Sequence, residues 1–362
     1  MNRLPVENTR AFCEAAFVKM GLTAEGARRT TDVLLLSDLY GIESHGVQRL
    51  MRYHKWIGEN CIHVDSKPEI VKETPTTAVV DGKDGMGHLV AWEAMELAIR
   101  KAKAMGVAIV AVHTSNHYGI AGYYTKMAAD QGLIGLSMTN TEPILVHTNA
   151  SSPILGTNPI AMAVPAKPYP FWFDAATTVV PRGKLELYEK RQKPLPENWT
   201  VDENGVPCTD AVRVQSNINQ RLGGGILPVG GVSEQSGSHK GYGFAMMCEI
   251  FTAILSGGCA SHKHTHIPGQ GEGTCHCFIA IDPAAFGDPE AIIAHMSSLL
   301  EDLRNAKLAE GADHIYTHGE KEALAWERNM KEGVFVNDKT LAELQQIAAD
   351  LGIDFAAYFP LN

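Results

Sequence analysis

A chain of 362 residues, 45% hydrophobic and 20% charged, has the make-up of an ordinary folded protein. That excludes a disordered or fibrous chain and predicts two domains or one elaborated α/β domain. A formal net charge of −10, with no stripe of Lys and Arg, excludes a broad nucleic-acid footprint.

The seven cysteines are scattered, the first residues lack a signal-peptide pattern, and no apolar run nears the roughly 20 residues of a membrane span. The expectation is a cytoplasmic protein with reduced thiols and no membrane contact.

In chain order, Phe12, Ala16, Phe17 and Met20 fall at helical spacing between about Pro5 and Met20. Ala27, Val33, Leu34, Leu35 and Leu39 do so between Thr23 and Tyr40, so two helices open the chain. Ser44 as a cap predicts a third helix from His45 to about Ile57, with Leu50, Tyr53 and Trp56 or Ile57 toward a core. His45 and Arg49 would then stack one turn apart on one face. An imidazole and a guanidinium so placed suit a 2-hydroxy or 2-oxo acid: the fork of Arg49 holds the carboxylate while His45 exchanges a proton at the neighbouring oxygen. The same spacing also describes the polar face of an ordinary exposed helix.

From Ile70 the texture changes to short β-rich runs (Ile70–Val71, Thr77–Val80) and the turn-rich stretch Asp81–Gly87. A helix over about His88–Met105, an apolar strand Val107–Val112, a loop His113–Gly119, a helix near Ala121–Gln131 and a strand Ile134–Thr139 follow. That order predicts a mixed, mostly parallel sheet flanked by helices. Asn140–Val164 is loop-rich and Phe171–Asp174 is a short strand. Residues 182–225, charged and proline-rich, are expected to be an insertion that makes a partly ordered excursion over the surface. Ile226–Val229, a helix over Tyr242–Leu255, a Gly/His-rich loop and the strand His276–Ile281 come next. Helices around Pro289–Leu308, Glu320–Lys331 and Asp338–Leu351 are expected to return toward the first ones. The parts are thus a helical stretch 1–74, an α/β domain 75–285 and C-terminal helices 286–362.

Three further segments carry candidate chemistry. His117 follows the end of an apolar strand, where parallel α/β sheets usually hold their ligands, and is a second candidate acid or base; the alternative is a loop histidine bonded to backbone. His239 and Lys240 stand where a helix begins, a position suited to a diphosphate. No Gly-x-x-x-x-Gly-Lys-Ser/Thr is present and no Gly-x-Gly-x-x-Gly follows a strand, so a Rossmann dinucleotide fold is not supported. Cys259, His262, His264, His266, Cys275, His276 and Cys277 crowd one region, yet they offer no Cys-x-x-Cys pair, and no metal site is expected.

Together these segments resemble the type-2 malate/L-lactate dehydrogenase family, which includes sulfolactate, ureidoglycolate and diketogulonate members. The resemblance is carried by Asp38–Arg49 (Asp-x-x-Gly-x-x-Ser-His-Gly and the following Arg49), Asp81–Gly87, Ser115–Gly122 (Ser-Asn-His-x-Gly-x-Ala-Gly), Gly156–Pro165, Asp174–Lys184, Leu227–Gly231, Lys240–Gly243, Ala280–Pro283 and Gly319–Glu320. It covers nearly the whole chain apart from the insertion and the His/Cys loop.

The resemblance implies a nicotinamide-dependent oxidoreductase with a sulfolactate-dehydrogenase-like, non-Rossmann α/β fold, working as a homodimer whose active site lies near the subunit contact. It assigns His45 as proton donor and acceptor, with His117 in that role in some members, and sets Arg49 beside the substrate carboxylate, with Ser44 and Asn116 as further substrate contacts. Cofactor contacts are implied at Asn140, at Asp174, Ala175, Ala176, Thr177 and Thr178, at Gly183 and Lys184, at His239 and Lys240, and at His318, Gly319 and Glu320. The family's Asp-Met-Ala-Thr-Ser reads Asp174–Thr178 as Asp-Ala-Ala-Thr-Thr here, and its Pro-Gly-Glu reads His318–Gly319–Glu320; these departures blur the choice between the two nicotinamide cofactors. NAD is expected, with NADP as the alternative.

The expected reaction moves hydride from C2 of a small 2-hydroxy acid, with malate/oxaloacetate first. Lactate, sulfolactate, ureidoglycolate or a cyclic imino acid are the alternatives. From other classes, a metal-dependent hydrolase would use the Cys259–Cys277 region, and a non-catalytic nucleotide-binding protein would keep the fold alone.

Overall fold

The computed structural model describes residues 2–360. A short strand β1 (Asn2–Leu4) precedes the two expected helices. Helix α1 (Val6–Lys19) buries Phe12, Ala16 and Phe17, and α2 (Ala24–Leu39) buries Ala27, Leu34 and Leu35 behind an N-cap in which Thr23 accepts from the Gly26 N–H. The third helix differs from the expectation. Glu43–His45 and Val47–Arg49 are separate 3₁₀ turns on either side of an extended Gly46, and α3 spans only Leu50–Gly58, with no capping bond from Ser44. The cause is Asp38, whose carboxyl accepts the Val47 N–H at 2.8 Å and lies so close to Gly46 that a Cβ there would meet Oδ1 at 1.8 Å. A continuous helix cannot pass that carboxyl.

The central sheet is built from β2 (Glu69–Glu73), β3 (Thr77–Asp81), β4 (Val107–Ser115), β5 (Ile134–Thr139), β6 (Ile160–Val164) and β7 (Phe171–Ala175), with α4 (Gly87–Met105) and α5 (Ala121–Ala129) between strands. Residues 182–225, expected to be partly ordered, instead fold as α6 (Arg182–Lys190), β8 (Thr200–Val201), α7 (Ala211–Gln220) and β9 (Gly225–Ile226). Leu185, Leu195, Val214, Ile218 and Ile226 close an apolar cluster there with Ile144 and Val180. The polar run that suggests disorder, Arg191–Pro194, lies on its exposed side. Helix α8 (Ser238–Glu249) leads through the segment 250–273 into β10 (Thr274–Ile281), and α9 (Pro289–Arg304), α10 (Glu320–Glu332), β11 (Val334–Val336), α11 (Asp338–Leu351) and α12 (Phe355–Tyr358) follow.

The strand order is β2-β3-β4-β10-β5-β6-β7. A mixed sheet flanked by helices is the expected class, and β3, β4, β5 and β7 point the same way. Neighbour by neighbour the pairing is otherwise: β3–β4 is bonded in parallel, whereas β10 inserts between β4 and β5 antiparallel to both. Strand–helix–strand order fixes the relative direction of β4 and β5 but not their adjacency. β10 can take the middle place because Thr274–Ala280 is almost wholly buried. β1 pairs with β11, and Phe12 packs edge-on against Phe355, Tyr358 and Phe359, so the two ends of the chain share one core.

His88 and His276 lie deep inside the fold. His276 on β10 is bonded to Ser115 Oγ (2.9 Å) and Thr139 Oγ1 (2.8 Å) and stacks on Tyr118, and His88 on α4 has no hydrogen-bond partner at either ring nitrogen. Burial pushes both down to about 3, so they are neutral when folded and take up protons on unfolding. The unfolded chain therefore binds more protons below its histidine value of 6.5, and stability falls as pH drops from there toward about 3, by about 1.4 kcal/mol per pH unit for each group. In urea denaturation compared at about pH 7 and pH 5, wild type should lose about 2 kcal/mol more than His88→Leu. Equal losses would mean that His88 is not held neutral.

Candidate active site

One cleft collects side chains from several parts of the chain. The turns before α3 and α3 itself supply Ser44, His45, Arg49 and Arg52; the end of β4 supplies His117, Tyr118 and Gly119; the end of β5 supplies Thr139, Asn140 and Thr141. Pro181, Arg182, Gly183 and Glu186 at the start of α6, Thr157 and Pro159 before β6, and Glu272 and Thr274 at the entry to β10 close it. The ends of β4 and β5 are where the chain leaves the sheet, so their backbone groups and side chains point into the opening.

His45 and Arg49 do not stack as helix neighbours; they meet across the Gly46 break. Ser44 Oγ and His45 Nδ1 share a hydrogen bond of 2.8 Å, and Arg49 Nε donates to the Ser44 carbonyl at 2.5 Å. The His45 ring lies face to face with His117, centroids 5.6 Å apart, and His117 Nδ1 is bonded to the Tyr53 hydroxyl at 2.7 Å. Each imidazole is thus held through Nδ1, and Nε2 of each makes no hydrogen bond among the described residues.

Burial, then the charges of Arg49 and Arg52, push His45 down to about 3. His117 is driven well below its usual value by burial, then by Arg52, His45 and Arg49. Both rings are neutral at neutral pH, ready to accept a proton.

The two arginines differ. Arg52 donates to Glu272 Oε1 at 2.8 Å and lies 3.8 Å over the Trp56 ring, while Glu272 Oε2 accepts the His117 N–H at 3.2 Å. Arg49 has no carboxylate partner among the described residues. A guanidinium beside a neutral imidazole, with its charge uncompensated, is a fit for a carboxylate carrying an oxygen on the next carbon.

Of the residues named from the sequence, the cleft brings together Ser44, His45, Arg49, His117, Asn140 and Gly183. Asn116 does not reach it: its amide donates to the carbonyls of Cys61, Asp84 and Gly85, and its Oδ1 accepts from Glu272 N–H. Asp174 is turned toward α5, accepting the Gly122 N–H at 2.7 Å, and burial pushes it up to about 6. Ala175 and Ala176 continue past β7, and Thr177 and Thr178 bond the Thr157 and Val180 carbonyls, behind the cleft wall formed by Thr157. Lys184, His239 and Lys240 are exposed outside the cleft. His318, Gly319 and Glu320 lie at the β7 edge, where the His318 carbonyl accepts from Trp172 N–H and Glu320 binds Thr317 and His314.

The cleft also contains residues not singled out from sequence. Arg52 follows Arg49 by three positions and carried a readable helical signal; Glu272 in a glycine-rich loop and Arg182 at a helix start carried none.

A nicotinamide nucleotide fits the donor set of the far wall. Arg182 Nε is a buried N–H group without an acceptor, Thr141 and Thr157 add hydroxyls, and a Cβ on Gly183 would meet nothing within 4 Å. Ile144, Pro159 and Pro181 give the same wall apolar surface for a ring.

Residues 4–345 match the family model described as malate/L-lactate dehydrogenase. A malate dehydrogenase of Pyrococcus horikoshii is 41% identical over 97% of this chain and 96% of its own length. A malate/(S)-sulfolactate dehydrogenase of Methanothermus fervidus is 37% identical over 96% of this chain and 98% of its own. The crystal structure of a malate dehydrogenase from Entamoeba histolytica superposes with a TM-score of 0.94 at 33% identity, over 98% of this chain and 99% of that one.

The site's local geometry rests on the contact between Gly46 and Asp38. Gly46→Ala forces a methyl into that carboxyl and should cost about 1–3 kcal/mol in urea denaturation; an unchanged midpoint would show that the turn has room the geometry denies it.

Proposed function

This chain belongs to the malate/L-lactate dehydrogenase family and is an oxidoreductase; from that premise we propose that it interconverts malate and oxaloacetate with NAD. The observation that carries the proposal is the joint presentation of a neutral imidazole, His45, and an uncompensated guanidinium, Arg49, to one cleft. When bound, the nicotinamide ring supplies the acceptor for hydride leaving C2. Arg49 grips the C1 carboxylate through paired N–H groups, which turns the C2 hydroxyl toward His45. Nε2 of His45 takes the hydroxyl proton, and in reduction the same atom returns it.

Substrate binding tunes that base. The charges of Arg49 and Arg52 hold His45 low, so a carboxylate placed on Arg49 offsets one of them and raises the basicity of the imidazole only in the complex. Ser44 Oγ at Nδ1 and the stacked His117 keep the ring oriented, and His117 is the second candidate for the proton. A second carboxylate has the acceptor-less Nε–H of Arg52 and of Arg182 to meet, the rest of these side chains being paired with Glu272 and Glu142; lactate has no group to place there. A sulfonate would meet the same cations, which is why sulfolactate stands as the second reading.

Proposed cofactor contacts are Gly183, with Thr141, Thr157 and Arg182 added; Asn140 backs the cleft, its amide donating to the Cys259 carbonyl and its Oδ1 accepting the Cys275 N–H. A homodimer is proposed because Phe244, Met247, Ile250 and Ile254 leave an apolar stripe exposed along α8 and the turns after it, at helical spacing. No helix among the described residues is long and apolar enough to cross a membrane. All seven cysteines are free thiols, which supports a reducing, cytoplasmic setting.

The test is loss of NADH and NADPH absorbance with oxaloacetate, pyruvate and sulfopyruvate. Wild type should favour NADH and oxaloacetate, and His45→Ala should lower turnover by about 100-fold or more. Near-normal turnover in that variant would move the proton to His117. Arg49→Lys should chiefly raise the Michaelis constant for oxaloacetate, because an ammonium cannot form the paired bonds; an unchanged constant would remove Arg49 from the carboxylate.

A further inference from the structure

We propose that Glu59, Cys61 and His266 form a binding site for a zinc-type divalent cation, separate from the cleft, that fastens the segment 256–273 to the end of α3. The three residues come from places 207 positions apart at the extreme, yet a carboxylate oxygen, the thiol sulfur and an imidazole nitrogen all lie within 4.8 Å of one another. Thiolate, carboxylate and neutral imidazole are the donor types zinc takes. Thiolate and carboxylate also carry the two negative charges that balance the ion.

The geometry needs little change to close. Zinc bonds of about 2.0–2.3 Å in a tetrahedron put ligand atoms roughly 3.3–3.8 Å apart, so the present spacing must shrink by about 1 Å at its widest. Cys61 is buried, its thiol donating to the Ile267 carbonyl at 3.6 Å, whereas Glu59 and His266 are exposed. His266 Nε2 already stands 3.2 Å from Glu59 Oε2, and the His266 ring is stacked on Trp56. The Gly269 N–H donates to the Glu59 carbonyl at 2.9 Å, so the backbone is held in register without the ion. The fourth position, on the open side, is left to water.

The bare alternative is an exposed His266–Glu59 ion pair beside a buried thiol that donates to the Ile267 carbonyl, and it predicts no thiolate bound to metal. The site also has a consequence for the cleft. Trp56 carries His266 on one contact and the Arg52 guanidinium on another, and Arg52 binds Glu272 from the same segment. An ion at Glu59–Cys61–His266 therefore secures the base of the segment that delivers Glu272 to the cleft wall. Because the thiol must lose its proton, affinity rises with pH.

The probe is cobalt(II), titrated without oxygen into the full chain. The expected result is one equivalent bound with a near-ultraviolet thiolate-to-cobalt charge-transfer band, displaced by zinc. Cys61→Ser should abolish the band, and His266→Ala, a change at an exposed position, should weaken binding by about 10-fold or more. No band in wild type, a band that survives Cys61→Ser, or an affinity indifferent to His266→Ala would overturn the proposal. Should Cys61→Ser fail to fold, His266→Ala and Glu59→Gln decide the matter by the same titration.

Discussion

The carboxyl of Asp38 is the constraint from which the site follows. It is 5% exposed, at the end of α2, and accepts the Val47 N–H while pressing on Gly46. Burial drives its pKa well above the ordinary carboxylate value, opposed by the Val47 bond. The turn around it is pinned from two further sides: the Ser37 hydroxyl donates to the Ile42 carbonyl, and Asn329 on α10 donates to the carbonyls of Asp38 and Leu39. A helix that would otherwise run through His45 and Arg49 is cut in two, and the cut aims both side chains into one opening. The C-terminal helices thus contribute to a site they do not line.

Electrostatics then sorts the groups. Two arginines on one wall would repel, but Glu272 compensates Arg52 and leaves Arg49 as the cation available to a ligand. Two imidazoles stacked 5.6 Å apart beside those cations can both persist only as neutral rings. The arrangement favours an anionic ligand for the same reason that it disfavours imidazolium in its absence, so binding and basicity are coupled. Tyr53, fully buried and bonded to His117, and His88, edge-on to Tyr53 at 4.9 Å, extend this neutral stack into the core. A chain that stores uncharged histidines in its interior becomes less stable as acid charges their unfolded forms.

Much of this was legible in the sequence. Apolar spacing located α1, α2 and most helices, the sheet's class was readable from element order, and His45, Arg49 and His117 could be named from chemistry alone. The break at Gly46 was not, because it comes from a carboxyl that must be brought over from α2. Nor was the place of β10 between β4 and β5, since direction is a local property and adjacency is a long-range one. Residues 182–225 misled for a related reason: composition averages over a segment, whereas Leu185, Leu195, Val214 and Ile218 fold it by meeting one another. The glycine-rich motif near Asn116 pointed to a neighbourhood correctly, yet Asn116 itself spends its amide on backbone and lets His117 face the cleft.

The account stands or falls on where a 2-hydroxy dicarboxylate sits. A crystal structure of the enzyme with NAD and tartronate tests this directly. The account requires one carboxylate paired with the Arg49 guanidinium and the hydroxyl oxygen within hydrogen-bond distance of His45 Nε2. Tartronate seated elsewhere, or with its hydroxyl on His117 and its carboxylates clear of Arg49, would contradict it.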